Sequence, residues 1–397
     1  MKNALAVLLG VCVSTAAYGQ PSTNQLFAFQ CTSMKCLDGE QPDALIQASD
    51  GNFYGVAQAS IPGGGTIFKL TASGKVTLLF RFPNNPTTGF FDDGNAPNSI
   101  AEGSDGLLYG TAGSGGPNSA SLGTLWRIHE DGSGFQVLQQ FCTSCTNGGS
   151  PNNIIAGSDG NLYGTTGYGG FFPSSGACQG LGCGVVFRLT TSGAYAVLHR
   201  FNGTSETSLP IGVTQASDGN LYGGTAYLGG GALYRVTPSG EFTNLFSFGS
   251  GVYALAPLTQ SSDGLLYGFS HLVSASTIEF FSSTLEGSVS SIASVTQALY
   301  KQYGIGKVLQ ATDGNFWTSA SVAPGGSGFG RVFAVTAAGT IVESIGFTGT
   351  DGSFPTGGLI QATDGTLYGT TIKGGRTSSG TAASGVIYTV SGLPSRN

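Results

Sequence analysis

The stretch Ser158-Asp159-Gly160-Asn161-Leu162-Tyr163 contains the pattern that decides the fold. A Ser/Thr-Asp-Gly turn, followed one residue later by an apolar and an aromatic residue, occurs seven times along the chain. The aspartates of the seven copies are Asp50, Asp105, Asp159, Asp218, Asp263, Asp313 and Asp364. Successive copies are 45 to 59 residues apart, and tandem repeats of this length are typical of the four-stranded blades of a β-propeller.

Each repeat divides into four predicted strands. In the first repeat, residues 44–47 lead into the Asp-Gly turn and residues 53–55 leave it. Asp-Gly tolerates positive φ, which suits a tight hairpin. After a glycine-rich loop, residues 66–70 and 76–82 form the third and fourth strands, joined by a second tight turn at 71–74.

The two ends of the chain complement each other. The last repeat stops after its third strand, at residues 386–390, whereas a fourth-strand pattern, Leu26-Phe27-Ala28-Phe29, precedes the first repeat. Pairing these ends would remove the exposed edges of an open sheet. We therefore predict an all-β fold, a seven-bladed β-propeller with four-stranded antiparallel blades, closed by the N-terminal strand joining the last blade. Residues 20–397 form one domain in this prediction.

The N-terminus has the features of an export signal. Lys2 precedes an apolar run over residues 4–13, and Ala17-Tyr18-Gly19 is a suitable cleavage site. The sequence thus predicts a signal peptide over residues 1–19 and a secreted or periplasmic protein without a transmembrane segment. Cys12 leaves lipidation open as an alternative.

The remaining six cysteines form three close pairs: Cys31/Cys36, Cys142/Cys145 and Cys178/Cys183. In an exported protein this spacing predicts three local disulfides. Zinc is the alternative at the Cys-x-x-Cys pair, although no histidine or second such pair lies nearby in sequence. We expect neither a metal nor another cofactor.

The charge balance argues against nucleic acid as a partner. The formal net charge is −6 and only 9% of the residues are charged, whereas nucleic-acid binding needs a basic surface. The charge balance likewise gives no indication of an anionic membrane as partner. We expect a monomer.

The segment Leu359-Ile360-Gln361-Ala362-Thr363-Asp364-Gly365-Thr366-Leu367-Tyr368-Gly369, with Gly374-Gly375 soon after, resembles the GloVer tandem-repeat proteins of bacteria. Residues 157–166 and 186–190 resemble the same repeat, and the resemblance covers nearly all of the chain after the signal. It implies an exported, propeller-like protein, and it implies no particular activity.

Variable loops on a rigid scaffold are where binding usually resides. The long loops are expected on one face of the ring, opposite the tight turns. Aromatic rings suit stacking on sugars, and nearby carboxylates suit sugar hydroxyls. The candidate ligand-binding residues are Phe90, Phe91, Asp92, Asp93, Tyr168, Phe171, Phe172, Tyr227, Tyr253, His271, Asp351 and Phe354. The leading hypothesis is an extracellular binding protein for a polysaccharide or cell-surface glycan. The aromatics could instead pin loops to the blades.

Two alternatives remain open. A carbohydrate-active enzyme, lyase or hydrolase, could assemble residues such as Tyr168, His271 and Asp351 at the central opening, although no nucleophile elbow or HExxH motif occurs. The second alternative is a structural surface protein.

Three recurrent features are interpreted as parts of the scaffold. They are the repeated aromatic residue after each turn, the recurrent glutamine three residues before each turn aspartate, and an Asp-Gly-x-x-Pro pattern before several repeats.

Overall fold

The computed structural model describes residues 21–31, 36, 38–60, 63–174, 178, 180–203, 208–226, 230–274, 277–295, 304–321 and 328–391. Within these ranges every regular element is a β-strand, and the strands form seven separate antiparallel sheets arranged as the blades of a ring. The predicted seven-bladed β-propeller is confirmed.

Strand β1 (Ser22–Ala28) belongs to the last blade, and the other strands follow in chain order. Blade 1 consists of β2 (Glu40–Gln47), β3 (Phe53–Ala59), β4 (Thr66–Leu70) and β5 (Val76–Arg81). Blade 2 consists of β6 (Asn95–Glu102), β7 (Leu108–Ser114), β8 (Ser121–Ile128) and β9 (Gln136–Cys142). Blade 3 consists of β10 (Gly149–Ala156), β11 (Leu162–Tyr168), β12 (Val185–Leu189) and β13 (Tyr195–Arg200). Blade 4 consists of β14 (Pro210–Gln215), β15 (Leu221–Thr225), β16 (Ala232–Val236) and β17 (Phe242–Ser247).

The innermost strand of blade 5 is divided into β18 (Val252–Ala254) and β19 (Thr259–Gln260), followed by β20 (Leu266–Leu272), β21 (Thr277–Ser283) and β22 (Val289–Val295). Pro257 lies in the break, where its missing N–H costs no ladder bond. Blade 6 consists of β23 (Leu309–Gln310), β24 (Phe316–Ala320), β25 (Arg331–Val335) and β26 (Ile341–Gly346). Blade 7 consists of β27 (Ile360–Gln361), β28 (Leu367–Thr371), β29 (Val386–Ser391) and β1.

The ring closes as the chain ends predict. Strand β1 pairs antiparallel with β29, with Thr23 opposite Val390 and Ala28 opposite Val386. The last blade therefore takes its outer strand from the beginning of the chain and its other three from the end. The pairing of β1 with β29 therefore joins the two ends of the chain in one sheet.

The Asp-Gly turn of each repeat is a compact hydrogen-bonded unit. Gly51 has φ 80°, a conformation that glycine adopts without steric cost. Asp50 accepts bonds from the Asn52 backbone N–H at 2.8 Å and from the Tyr54 hydroxyl at 2.8 Å. The bond from the aromatic side chain to the turn aspartate recurs in blades 1 to 6.

The hydrophobic core lies between the blades. Tyr54 is fully buried in a cluster with Leu108 and Trp126 of the next blade. Tyr109 is likewise buried against Leu162 of blade 3. These contacts confirm that the repeated aromatic packs between blades.

The recurrent glutamine ties each blade to the preceding one. The Gln260 side chain accepts a bond from the backbone N–H of Ser217 at 2.7 Å, and the Gln47 side chain accepts one from Thr363 at 2.9 Å, across the closure of the ring. Equivalent bonds occur at Glu102, Gln215, Gln310 and Gln361. The seventh copy is Ala156, and at that interface the Ser104 hydroxyl donates to the Gly160 carbonyl instead. The structural interpretation of this position is confirmed.

The Asp-Gly-x-x-Pro pattern also joins neighbouring blades. The proline that opens an innermost strand packs against a glycine of the preceding blade, as Pro151 does against Gly123, where a Cβ would lie 2.8 Å from the proline ring. The residue before this proline has positive φ, for example 57° at Gln41 and 53° at Ala96. Such strained backbone is kept only where the surroundings fix it. The pattern is therefore a recurrent structural turn.

All three predicted disulfides are present: Cys31–Cys36, Cys142–Cys145 and Cys178–Cys183. Each closes a short loop. In the part of the chain that the structure describes, no helix has the length and apolar character needed to cross a membrane. The predicted signal peptide, residues 1–19, lies outside the described residues.

Candidate functional site

The antiparallel blades give the ring two distinct ends. The Asp-Gly turns and the turns between third and fourth strands form one end, the turn face. The connections between second and third strands, and those between successive blades, form the other end, the loop face. By this topology the predicted ligand-binding residues that the structure describes share the loop face. Tyr227 lies outside the described residues.

The predicted residues share a face, but they stand on different blades. Phe90, Phe91, Asp92 and Asp93 lie between blades 1 and 2, and Tyr168, Phe171 and Phe172 belong to blade 3. Tyr253 and His271 belong to blade 5, and Asp351 and Phe354 lie between blades 6 and 7. They form four separate groups around the ring.

The group between blades 1 and 2 makes most of its contacts with neighbouring residues of the scaffold. Phe91 packs against Gly64 of blade 1, where a Cβ would lie 2.8 Å from its ring. Asp92 accepts a bond from the Asn85 amide at 2.6 Å. Burial, and secondarily the charge of Asp92, raises the pKa of Asp93. Phe91 and Asp92 thus stabilise the connection between the blades.

The group between blades 6 and 7 also has structural partners. The Asp351 carboxylate accepts a bond from the Thr348 backbone N–H at 2.8 Å, which caps its own turn. Phe354 is the residue of positive φ before a motif proline, and the Lys373 ammonium lies 5.4 Å from the centre of its ring. A cation over an aromatic face is a stabilising contact.

Tyr253 and His271 form a hydrogen-bonded pair in blade 5. They are opposite each other on β18 and β20, and the tyrosine oxygen lies 3.1 Å from His271 Nδ1. Burial lowers the pKa of His271 and raises that of Tyr253. Both shifts favour neutral side chains at neutral pH, an uncharged imidazole beside a protonated phenol.

The aromatic residues of blade 3 are the most accessible. Phe171 is 47% exposed, whereas Tyr168 and Phe172 are half-buried. Their loop is braced by the Cys178–Cys183 disulfide and by a bond from the Cys183 N–H to the Phe171 carbonyl at 3.1 Å. Leu181 of the same loop is 46% exposed. Phe171 and Leu181 thus place an exposed apolar surface on the loop face.

A cavity of about 580 Å³ lies on the axis of the ring. The innermost segments of all seven blades line it, through residues 43–46, 98–100, 152–155, 211, 255–257, 259, 305–309 and 356–361. Its walls are mainly aliphatic, and its charged lining residues are Asp43 and Lys307. We define this space as the axial cavity.

Asp43 occupies a position where the next two blades have asparagine. The amides of Asn98 and Asn152 donate to the backbone carbonyls of Pro151 and Pro210 in the following blades. A carboxylate has no N–H to make that bond. Asp43 instead accepts a bond from the Gln58 amide at 2.7 Å, and burial raises its pKa to about 6.

The axial cavity was not predicted from the sequence, because its charged residues are not among the features that the repeats share. A signal was nevertheless present. Asp43 and Lys307 are charged residues on innermost segments that otherwise contribute uncharged residues to the axis. Comparing the repeats for their differences would have found both.

The family model described as the Gloeobacter/Verrucomicrobia repeat matches residues 10–179. This match confirms the resemblance predicted from the repeated sequence. No curated protein sequence matches this chain significantly.

Solved structures share the fold at low sequence identity. Virginiamycin B lyase from Staphylococcus aureus superposes with a TM-score of 0.59 at 15% identity, covering 94% of this chain and 99% of that chain. A protein from Lactobacillus plantarum superposes with a TM-score of 0.51 at 17% identity, covering 84% of this chain and 96% of that chain. At these identities the likeness concerns the fold alone.

Proposed function

We propose that this seven-bladed propeller is an exported glycan-binding protein. The ligand is a polysaccharide or a cell-surface glycan, and it docks on the loop face at blade 3. Export rests on the predicted signal peptide and fits a chain with three disulfides.

The observation that carries this proposal is the braced loop of blade 3. An aromatic ring that is 47% exposed loses favourable burial unless a partner covers it. The backbone of Phe171 accepts a bond from the disulfide-bonded Cys183, and a braced backbone reduces the conformational entropy that is lost on binding. Sugar rings have apolar C–H faces that suit such a platform.

The axial cavity favours binding over hydrolysis. Most glycoside hydrolases need two carboxyl groups on either side of the scissile bond. Among the residues that the structure describes, the lining of the axial cavity contains a single carboxylate, that of Asp43. A ligand that enters the cavity would meet one acid, and the two-carboxylate mechanism lacks its second group there.

The test is a glycan array probed with the protein from residue 20 onward, followed by titration of the best ligand. We expect selective binding that the Phe171→Ala/Phe172→Ala variant weakens by about tenfold or more, because exposed aromatic anchors carry a large share of binding energy. The matched control is Leu78→Ala, since Leu78 is 39% exposed on the outer strand of blade 1. Equal loss in the control, or no binding at all, would overturn the proposal and favour a structural role.

A second candidate is a polysaccharide lyase, and the Tyr253–His271 pair is the observation that favours it. A neutral imidazole can take the proton next to a uronate carboxylate while a phenol protonates the departing sugar oxygen. Incubation with uronate polysaccharides, followed by ultraviolet detection of unsaturated products, tests this candidate. Product that disappears in both Tyr253→Phe and His271→Ala would support it, and absence of product would exclude it for the polymers used.

A further inference from the structure

The axial cavity contains two opposite charges that do not meet. Lys307 and Asp43 both line the cavity and are partly buried, yet they form no ion pair with each other. Among the residues that the structure describes, Lys307 has neither a hydrogen-bond acceptor nor an acidic partner. A charge that is partly removed from water and has no partner loses hydration without gaining a compensating bond.

The innermost segment of blade 7 packs closely against the two residues that carry these charges. Gly357 and Gly358 stand between blades 6 and 1, and they carry no side chain. A Cβ on Gly358 would lie 3.2 Å from the Lys307 Cβ, and one on Gly357 would collide with the Asp43 backbone. The two glycines therefore allow the backbone of blade 7 to approach Asp43 and Lys307 without adding a side chain next to either of them.

Asp43 has one carboxylate oxygen to offer. The Gln58 amide donates to Oδ2 at 2.7 Å, and no donor among the described residues reaches Oδ1. The neighbouring lining asparagines differ, because Asn98 and Asn152 have both amide atoms bonded to protein. A ligand would thus find one free cation, one free acceptor and aliphatic walls.

We propose that the axial cavity binds a small sugar acid, with its carboxylate on the Lys307 ammonium and a hydroxyl group donating to the Asp43 carboxylate. A single ammonium matches a singly charged carboxylate, and the nearby acid disfavours a dianion such as phosphate. Aliphatic lining residues such as Ile46 and Val308 suit the C–H faces of a pyranose ring. The volume of about 580 Å³ lies within the range of small-molecule sites.

This site is separate from the glycan platform of blade 3. The Phe171→Ala/Phe172→Ala variant is therefore expected to bind the monomeric acid like the unmodified protein. Failure of the platform proposal would leave the cavity proposal unaffected, and the converse holds as well.

The experiment is isothermal titration of the full protein with D-galacturonate and D-glucuronate, and with glucose and the galacturonate methyl ester as uncharged comparisons. We expect saturable binding of a uronate and at least about tenfold weaker binding of the uncharged sugars, because a charge-assisted bond is lost. Lys307→Met is expected to abolish the preference, and Lys307→Arg to retain it. Lys75→Met, which removes an exposed turn lysine, is the control and should bind normally.

The Asp43→Asn variant tests the other half of the site. We expect it to weaken uronate binding by a few-fold while keeping the preference for the acid over its ester. The proposal is overturned if the unmodified protein binds no uronate at millimolar concentration. It is equally overturned if the Lys307→Met variant shows a normal unfolding transition, and is therefore folded, but binds uronate as the unmodified protein does.

Discussion

The two faces of the propeller differ in how often their side chains recur from blade to blade. On the turn face, the same residues recur from blade to blade and bond to one another, as Tyr163 does to Asp159 at 2.7 Å and Ser158 to Gln215 at 2.7 Å. On the loop face and at the axis, residues such as Phe171 and Lys307 occur once and have no counterpart in the other blades. The difference helps to separate the scaffold from the sites: residues that recur in every blade hold the scaffold together, and the candidate site residues are found among those that do not recur.

The largest expected effect is on the scaffold, at Tyr109. Its side chain is fully buried between blades 2 and 3, and its hydroxyl donates to Asp105 at 2.8 Å. Tyr109→Ala should lower the free energy of unfolding by about 3–5 kcal/mol, as large-to-small core changes do. Chemical denaturation measures this. Phe171→Ala is the matched change on the loop face and should stay within about 0.5 kcal/mol.

A loss of the same size in both variants would remove the distinction between the two faces. Tyr109→Phe refines the test, because it keeps the ring and removes only the hydroxyl. We expect a loss of about 1 kcal/mol for that change.

The next largest expected effect is at Asp43 in the axial cavity, where a substitution should raise the free energy of unfolding rather than lower it. The pKa of Asp43 is about 6 in the folded protein against 3.8 as the ordinary value. An acid whose pKa is raised by folding binds more protons in the folded state, so its contribution to stability falls as the pH rises from about 4 to about 6. Asp43→Asn removes this penalty. The variant should be more stable than the unmodified protein at pH 8, by up to about 3 kcal/mol.

Denaturation of both proteins at pH 4 and pH 8 measures the predicted difference. The gain should shrink towards pH 4, where the Asp43 carboxyl is protonated in the folded protein. An asparagine that destabilises at both pH values would show that Asp43 is a scaffold residue. A gain would show an acid kept at a cost in stability, which is typical of functional residues.

The smallest expected effect on stability is at the recurrent glutamines three residues before each turn aspartate. Gln260→Ala removes the bond from the Ser217 backbone at 2.7 Å and should cost about 1 kcal/mol. The interface between blades 2 and 3 offers the reverse change, because Ala156 stands where the other blades have glutamine or glutamate. Ala156→Gln should add about 0.5 kcal/mol by supplying the missing acceptor to Ser104. Thermal unfolding compares the two, and destabilisation by Ala156→Gln would contradict the assignment.

The fold was predictable from the sequence because its determinants are local and repeated. Each Asp-Gly turn fixes a hairpin, each following aromatic fills an interface, and the residues at 26–29 match the strand missing from the last blade. The three cysteine pairs were predictable for the same reason, since each closes a short loop.

The candidate sites were predictable only in part. Topology places the long loops on one face, but the sequence does not contain the distances between blades. It could not show that Phe91 packs on Gly64 or that Asp351 caps its own turn. The axial cavity is lined by residues from all seven blades, which are far apart in the chain. Asp43 and Lys307 therefore line the same cavity only once the ring has closed.

The most direct test of the separation between scaffold and site measures glycan affinity and thermal unfolding on the same two variants, Phe171→Ala/Phe172→Ala and Gln260→Ala. We expect the first variant to lose glycan affinity with an unchanged unfolding temperature, and the second to unfold at a lower temperature with unchanged affinity. Loss of both properties in both variants, or glycan binding by the first variant like that of the unmodified protein, would show that scaffold and site are not separate.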